Sequence, residues 1–277
     1  MSVTSLTIVV DNQAQPGCLS EHGLALWVNV GKEHILLDTG QGPALAPNMN
    51  TLNLNPNELH HLVLSHGHYD HTGGLPWVLS AAHDIQVWSH PAVVEPRYSI
   101  TNEEVRPIDM PQASKRALHA LPGSRVHWSS QPKWITAKIG LTGTIPRQTD
   151  FEDPGGPFFL DPQGHRPDPI EDDQALWIMT DKGLVICVGC CHAGLINTLT
   201  YIQKLTGEKR IRAIIGGLHL GAATAWRMEQ TIITLNELQP ELLIPCHCTG
   251  TLAVEELQNR LNFAVRPGYA GLRLELK

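Results

Sequence analysis

The feature that most constrains this chain is a segment rich in histidine and aspartate, residues 65–72, which directly follows the apolar run 62–64. Its candidate metal ligands are His66, His68, Asp70 and His71. Residues two apart in an extended chain point to the same side, so His66 and His68 can bind one ion together, whereas Asp70 and His71 fall where the chain turns and can face a neighbouring position. A solvated polar loop is the alternative. Burying four such groups without an ion would be costly, so the pattern predicts a site for one or two divalent ions: zinc, with iron and manganese as alternatives.

Length, charge and cysteine usage limit the remaining possibilities. The chain has 277 residues, 42% of them hydrophobic, which is enough for a sizeable core. A net charge of −7 disfavours nucleic-acid binding, because it repels a phosphate backbone. No apolar run reaches the roughly 18–20 residues of a membrane span, and the start lacks the basic region of a signal peptide. The six cysteines are clustered rather than dispersed as in a disulfide scaffold. We therefore expect a cytoplasmic protein with reduced thiols, a small-molecule substrate, and neither nucleic acid nor membrane as partner.

The order of apolar runs predicts the secondary structure. Strands are predicted at 6–10, 24–30, 34–37, 62–64, 85–89, 175–180, 184–188, 211–215 and 242–244. Helices are predicted at 75–82, 195–205, 225–238 and 251–261, with a helical turn near 56–60. Residues 146–173 are rich in Pro, Gly and Asp and predict a long loop, either a lid over a site or a disordered excursion. Helices packed outside a pair of sheets satisfy this pattern, and we predict a single domain over residues 1–277.

Several motifs together resemble a known family. His66-x-His68-x-Asp70-His71, preceded by Asp38-Thr39-Gly40, resembles the signature of the metallo-β-lactamase superfamily. A longer agreement resembles the branch that contains the archaeal dihydropterin synthase-like proteins. It is carried by Val10-Asp11-Asn12, Glu21-His22-Gly23-Leu24, residues 64–75, Gly189-Cys190-Cys191-His192-Ala193-Gly194, Gly216-Gly217-Leu218-His219-Leu220 and Cys246-His247-Cys248-Thr249-Gly250. The resemblance implies the α/β metallo-β-lactamase fold, an αββα sandwich of two mixed β-sheets with outer helices and a metal site at one edge between the sheets.

The resemblance also implies two metal positions. The first would be formed by His66, His68 and His192. The second would be formed by Asp70, His71 and His247. His192 and His247 each follow an apolar strand, at a turn where a rigid scaffold can present a ligand. For both, a hydrogen-bonded core histidine is the alternative.

One departure from the family concerns the bridge between the ions. Many members have an aspartate after a glycine at this point, whereas Gly189 is here followed by Cys190. Asp172, Asp173 or hydroxide alone could replace that bridge. A thiolate of Cys190 or Cys191 could also contact metal. Packing of both cysteines as small apolar side chains is the favoured interpretation.

Other polar residues are assigned roles around the ions. Asp38 and Cys190 are predicted to lie behind the ligands, where Asp38 would orient an imidazole or, alternatively, cap a turn. Residues predicted to bind substrate are Asn12, His22 and Arg147, the last through a phosphate or carboxylate. Asp70 would hold the attacking hydroxide, and His219 or His22 would donate a proton to the leaving group. Surface or packing roles are the alternatives.

Three functions are compatible with such a site. The first hypothesis is metal-dependent hydrolysis of an ester, lactone, thioester or phosphoester, because a metal ion lowers the pKa of bound water to about 7 and polarises the attacked group. The second, implied by the dihydropterin synthase-like resemblance, is transfer that displaces diphosphate from a pterin methyl diphosphate. Cations available for that diphosphate are Arg97, Lys115, Arg116 and Arg147. The third is a non-hydrolytic metal-binding or di-iron redox protein. Ribonuclease and β-lactamase functions are disfavoured, because neither a basic arm nor a periplasmic address is visible.

Overall fold

The computed structural model describes residues 4–276. Its strands are β1 (Thr4–Val10), β2 (Ala25–Val30), β3 (Glu33–Leu37), β4 (His61–Val63), β5 (Gln86–Ser89), β6 (Tyr98–Thr101), β7 (Glu104–Pro107), β8 (Val126–Trp128), β9 (Lys133–Trp134), β10 (Ile139–Leu141), β11 (Phe158–Phe159), β12 (Leu176–Thr180), β13 (Gly183–Val188), β14 (Ile211–Gly217), β15 (Leu242–Cys246), β16 (Ala264–Val265) and β17 (Arg273–Leu276). Its α-helices are α1 (Leu45–Thr51), α2 (Tyr69–Thr72), α3 (Leu75–Ala81), α4 (Gln112–His119), α5 (Leu195–Thr206), α6 (Ala225–Leu238) and α7 (Thr251–Arg260). Short 3₁₀ turns lie at Pro56–Glu58, Pro91–Val94, Gly123–Arg125 and His247–Thr249. Within this range, no helix is both long and apolar enough to cross a bilayer.

The strands form two large mixed sheets and one small sheet. The first has the order β17-β1-β2-β3-β4-β5-β8, antiparallel from β17 to β3 and parallel from β3 to β8. The second has the order β16-β15-β14-β13-β12-β10-β9, with β13 to β16 parallel and the other pairs antiparallel. The small sheet has the order β11-β6-β7.

Buried apolar side chains join these sheets and helices into layers. The facing sides of the two large sheets share one cluster, which contains Leu26 of β2 and Ile178 of β12. The outer side of the first sheet shares a cluster with Leu75 of α3. The outer side of the second sheet shares a cluster with Leu199 of α5 and Leu257 of α7. Because each amphipathic element buries its apolar face against a neighbour, the result is the predicted αββα sandwich.

Most predicted elements lie within two residues of their predicted positions, and the helix predicted at 225–238 coincides with α6. The elements that were not predicted are α1, α2, α4, β6–β11, β16 and β17. All four residues of β7 are exposed, so its sequence lacks the alternation of apolar and polar residues that indicates a half-buried strand. Residues 146–173 form a loop with a single two-residue strand, β11. Its role as a lid stays a prediction.

The carboxyl ends of the parallel strands position the candidate site. In the first sheet, Asp38 follows β3 and the histidine segment follows β4. In the second sheet, Cys190, His219 and His247 follow β13, β14 and β15. Parallel neighbours end at the same edge of a sheet, which is where open α/β sheets commonly place ligands. Side chains from both large sheets therefore meet at one edge of the sandwich.

Candidate metal centre

Three buried histidines form the first donor group. His66 and His68, after β4, and His192, after β13, have ring nitrogens that all lie within 4.8 Å of one another. His66 Nε2 is 2.9 Å from His68 Nδ1. His192 Nδ1 donates to the carbonyl oxygen of Pro154 at 2.6 Å, which leaves Nε2 as its donor atom, and this buried Nε2 has no hydrogen-bond partner. The three histidines assigned to the first metal position are thus brought together.

Asp70, His71 and His247 form a second group beside the first. His71 Nε2 lies 3.2 Å from His247 Nε2. Asp70 Oδ2 lies 3.3 Å from the same His247 atom and 3.8 Å from His71 Nε2. His22 Nε2 lies 3.2 Å from Asp70 Oδ2. The structure therefore brings together the three residues assigned to the second metal position and adds His22 to them.

Cys190 lies between the two groups. Its Sγ is 3.1 Å from His71 Nε2. It shares one set of close donor atoms with His66 and His71, and another with His192 and His219. Cys190 thus contacts a candidate ligand, as its predicted place behind the ligands requires, and its role toward a metal ion stays a prediction. Sequence spacing could not reveal this contact, since Cys190 and His71 are 119 residues apart.

Neither Asp172 nor Asp173 takes the bridging position. Asp172 accepts hydrogen bonds from the backbone nitrogen of Gly67 and from the guanidinium of Arg97. Asp173 Oδ2 accepts the backbone N–H of Ala193 at 2.7 Å, and burial raises the pKa of Asp173 to about 7. Within residues 4–276, neither carboxylate belongs to a cluster of close metal-ligating atoms. Cys190, by contrast, belongs to three such clusters.

Asp38 links the two loops that carry the ligands of the first sheet. Its carboxylate accepts the Ser65 backbone N–H at 2.7 Å, the Ser65 hydroxyl at 2.6 Å and His71 Nδ1–H at 2.7 Å. Donation from Nδ1 leaves His71 Nε2 directed at the cluster. Ser65 Oγ is also 2.9 Å from His66 Nδ1. Asp38 is fully buried and has a left-handed backbone conformation (φ 61°), so the fold commits this residue to its contacts.

Replacing Asp38 with asparagine is expected to weaken metal binding about 10–100-fold, the usual cost of losing the partner of a ligating imidazole. One carboxylate oxygen would become an NH₂ group that faces the donors of Ser65 and His71. Competition with a chromophoric chelator measures the affinity. The exposed Asp84→Asn is the matched control. Equal affinities of the two variants would contradict the orienting role.

Two residues at the end of β1 position His247 from behind. Asn12 Oδ1 is 2.9 Å from His247 Nδ1, and Asp11 Oδ1 accepts the His247 backbone N–H at 2.7 Å. Asn12 was predicted to contact substrate, but its carboxamide oxygen instead faces a candidate ligand. Asp11 was not predicted as a functional residue. Burial raises its pKa to about 6. The signal for Asp11 was its place beside Asn12 at a strand end, where polar side chains are seldom accidental.

The histidines of the two donor groups differ in their protonation preferences. Burial lowers the pKa of His66, His68 and His192 well below the usual value, which keeps these imidazoles neutral. Burial would also lower the pKa of His71, but the carboxylates of Asp70 and Asp38 raise it to about 9. A bound cation would displace this proton, so metal uptake releases protons and weakens as pH falls.

A cavity of about 510 Å³ opens onto the donor groups. Its lining residues are His22, Gln41, His68, Tyr69, Asp70, Ser99, Arg106, Pro107, Ile108, Phe158, Cys190, His219, His247 and Cys248. Among them are His22 and His219, the two residues predicted to donate a proton to the leaving group. Residues 146–173 form part of this wall, because the Phe158 ring centroid is 5.5 Å from that of His68 and 5.4 Å from that of His192. The cavity can therefore bring a small molecule against the imidazoles.

The cations predicted for substrate binding lie elsewhere. Arg147 donates to the carbonyl oxygens of His192 and Pro169 and does not line the cavity. Among residues 4–276, Arg106 is the only lysine or arginine that lines it. Sequence reasoning missed Arg106, because β7 carries no pattern that would have placed it near the histidines.

Comparisons with known proteins show which family and fold this chain resembles. A model of the metallo-beta-lactamase superfamily matches residues 21–192. A 7,8-dihydropterin-6-methyl-4-(beta-D-ribofuranosyl)-aminobenzene-5'-phosphate synthase from Methanocaldococcus jannaschii is 31% identical over 83% of this chain and 82% of its own. The crystal structure of a metal-dependent hydrolase of the beta-lactamase superfamily has a TM-score of 0.83 at 29% identity, covering 99% of both chains. Zn²⁺-bound PqqB from Methylobacterium extorquens shares the fold at 14% identity, with a TM-score of 0.55 over 98% of this chain and all of that one.

Proposed function

This chain belongs to the metallo-β-lactamase superfamily, and from that premise we propose that it is a metal-dependent hydrolase of a small ester, lactone, thioester or phosphoester. The observation that carries the proposal is the buried Nε2 of His192, which has no hydrogen-bond partner and lies with the donor nitrogens of His66 and His68. A buried polar atom without a partner is costly, and a cation supplies one.

The donor chemistry supports zinc or iron over harder ions. Imidazole nitrogens, one carboxylate and the Cys190 thiol surround the site, and thiolates favour soft or borderline metals. Two adjacent groups, with Cys190 between them, support a pair of ions: His66, His68 and His192 for the first, and Asp70, His71 and His247 with Cys190 for the second.

A divalent ion held there would supply Lewis acidity, which would lower the pKa of bound water to roughly 7 and polarise a carbonyl or phosphoryl oxygen. The chain's own residues order the reactants. Asp70 Oδ2 lies within 3.3 Å of His22 Nε2 and His247 Nε2 on the cavity wall, where it can accept a hydrogen bond from the attacking water and so hold it in place. Tyr69 and Phe158 provide apolar surface against which the substrate body can pack.

His219 is suited to protonate the leaving group. It lines the cavity, and its ring centroid is 4.4 Å from that of His192. Burial lowers the pKa of His219, but the negative charge of the Cys248 thiolate and the hydrogen bond to it raise this pKa, and the net shift is upward. A raised pKa keeps a larger share of the imidazole protonated near neutral pH, as a general acid requires.

The test is metal removal and replacement in native protein. Turnover of a panel of esters, lactones, thioesters and phosphodiesters is expected to disappear on chelation and to return with zinc or iron. Elemental analysis of protein purified without oxygen identifies the native metal. Full turnover in chain stripped of metal would refute the proposal.

A second candidate is the transfer reaction that the dihydropterin synthase-like resemblance implies, in which diphosphate is displaced from a pterin methyl diphosphate. The 31% identity with that synthase favours it. So does Arg106, which offers the cavity a positive charge for an anionic leaving group. The other cations considered for that role are engaged or distant: Arg97 pairs with Asp168 and Asp172, and Lys115 pairs with Asp109.

Product analysis separates the two candidates. Incubation of pterin methyl diphosphate with and without an aromatic amine is followed by mass spectrometry. A condensed product that forms only with the amine supports transfer. Release of the free pterin alcohol, unchanged by the amine, supports hydrolysis.

A further inference from the structure

We propose that Cys248 is a second thiolate ligand, so that the ion nearest His247 is bound by two cysteines rather than one. The proposal rests on the proposed function, since it assigns a donor to the same metal centre. Cys248 was noted in the sequence only as a neighbour of His247.

The turn after β15 places the Cys248 thiol at the cluster. His247 has a left-handed backbone conformation (φ 52°) and begins the 3₁₀ turn His247–Thr249. This reversal lets neighbouring side chains face the same side. The Sγ atoms of Cys190 and Cys248 and a ring nitrogen of His247 all lie within 4.8 Å of one another. Donors around a tetrahedral ion with zinc–sulfur bonds of about 2.3 Å are separated by roughly 3.3–3.8 Å, so small side-chain movements suffice.

The surrounding backbone keeps room for this thiol. A Cβ atom added to Gly217 at the end of β14 would lie 2.6 Å from Cys248 Sγ. It would also lie 2.6 Å from the Gly189 carbonyl oxygen, so a side chain at that position would crowd the sulfur and the backbone together. Thr249 Oγ1 fixes the turn, because it accepts the Leu218 backbone N–H at 3.0 Å and donates to the Cys246 carbonyl at 2.7 Å. The thiol is therefore held at the cavity wall by two strand ends.

Cys246 provides a matched contrast. It precedes His247 by one residue and belongs to the apolar cluster between the sheets. A Cβ on Gly268 would lie 2.6 Å from the Cβ of Cys246 and 2.9 Å from a methyl group of Ile8, another member of that apolar cluster. Within residues 4–276, Cys246 belongs to no cluster of close metal-ligating atoms. Of the two cysteines that flank His247, Cys248 therefore lies among the candidate metal ligands and Cys246 does not.

The experiment counts thiolates on bound cobalt. Protein stripped of metal is loaded with Co²⁺ without oxygen, and the thiolate-to-cobalt absorption in the near ultraviolet is measured per bound ion. Cys248→Ser and Cys190→Ser are each expected to lose about half of this absorption, since cobalt, like zinc, accepts thiolate donors individually. Cys246→Ser is expected to keep all of it. Full absorption in Cys248→Ser would overturn the proposal.

A second measurement needs no variant, in case Cys248→Ser does not fold. Native protein is treated with iodoacetamide with and without Zn²⁺, and the labelled cysteines are identified by peptide mass spectrometry. Protection of Cys248 by zinc supports ligation, whereas equal labelling overturns it. Bound cobalt without thiolate absorption would overturn the cysteine ligands and leave the metal site standing. Failure to bind any metal would overturn the proposed function as well.

Discussion

The double substitution His66→Ala/His68→Ala is expected to remove metal from the first position and to lower kcat/KM at least about 10³-fold. The factor follows from the several kcal/mol of transition-state stabilisation that a metal ion contributes. Both rings are buried, and their facing nitrogens lie 2.9 Å apart. Within the described chain, His192 is the other member of their donor group, and a single imidazole does not retain a divalent ion.

Metal content per chain and kcat/KM are measured on the same preparation. The matched control is His83→Ala/His119→Ala, which removes two exposed imidazoles outside the donor groups and should leave both quantities unchanged. Normal turnover in a double variant free of metal would refute metal-dependent catalysis. Thermal unfolding of the stripped proteins separates loss of metal from loss of fold.

Replacing Arg97 with alanine is expected to lower the free energy of unfolding by about 3–5 kcal/mol, the usual cost of leaving buried charges unpaired. The Arg97 side chain is 1% exposed and contacts the carboxylates of Asp168 and Asp172, which lie near the end of the loop 146–173. Arg97 Nη1 and Nη2 donate to Asp172 at 2.8 and 2.6 Å, and Nε lies 2.9 Å from Asp168 Oδ2. No other lysine or arginine within residues 4–276 pairs with either aspartate.

Arg97→Ala should also weaken metal binding. Asp172 Oδ2 accepts the backbone N–H of Gly67, and Gly67 lies between the candidate ligands His66 and His68. Denaturant unfolding of stripped protein measures stability, and chelator competition measures affinity. Arg260→Ala removes exposed pairs with Glu229 and Glu256 and should shift neither, because solvent screens such pairs. A stable Arg97→Ala with full affinity would show that this ion-pair network is dispensable.

The ligands close together in sequence could be predicted, and the fold followed from apolar periodicity and family resemblance. His66 and His68 are two apart after an apolar strand, which fixes their shared direction. The contact of Cys190 with His71 could not be predicted in this way, because the two residues are 119 positions apart. Asp38, Cys191, His219 and His247 all have positive φ at strand ends, a conformation that non-glycine residues seldom adopt and that no hydrophobic pattern signals.

Arg106 was not predicted to line the cavity for a different reason. Arg106 lies on an exposed strand of the small sheet, whose pairing with β6 and β11 depends on the path of a long loop. Local sequence preference does not determine such pairings, because strand formation depends on the neighbours that a strand finds. The cavity wall was therefore less predictable than the ligands beneath it.

The meeting of strand ends from both large sheets gives a bound ion a mechanical role. His66 and His71 follow a strand of the first large sheet, and Cys190 and His247 follow strands of the second. Coordination by both pairs would therefore link the two sheets at one edge of the sandwich. Apolar packing joins them deeper inside. Catalysis and cohesion would then depend on the same few bonds, and any change of metal would alter how tightly the two halves of the protein are held together.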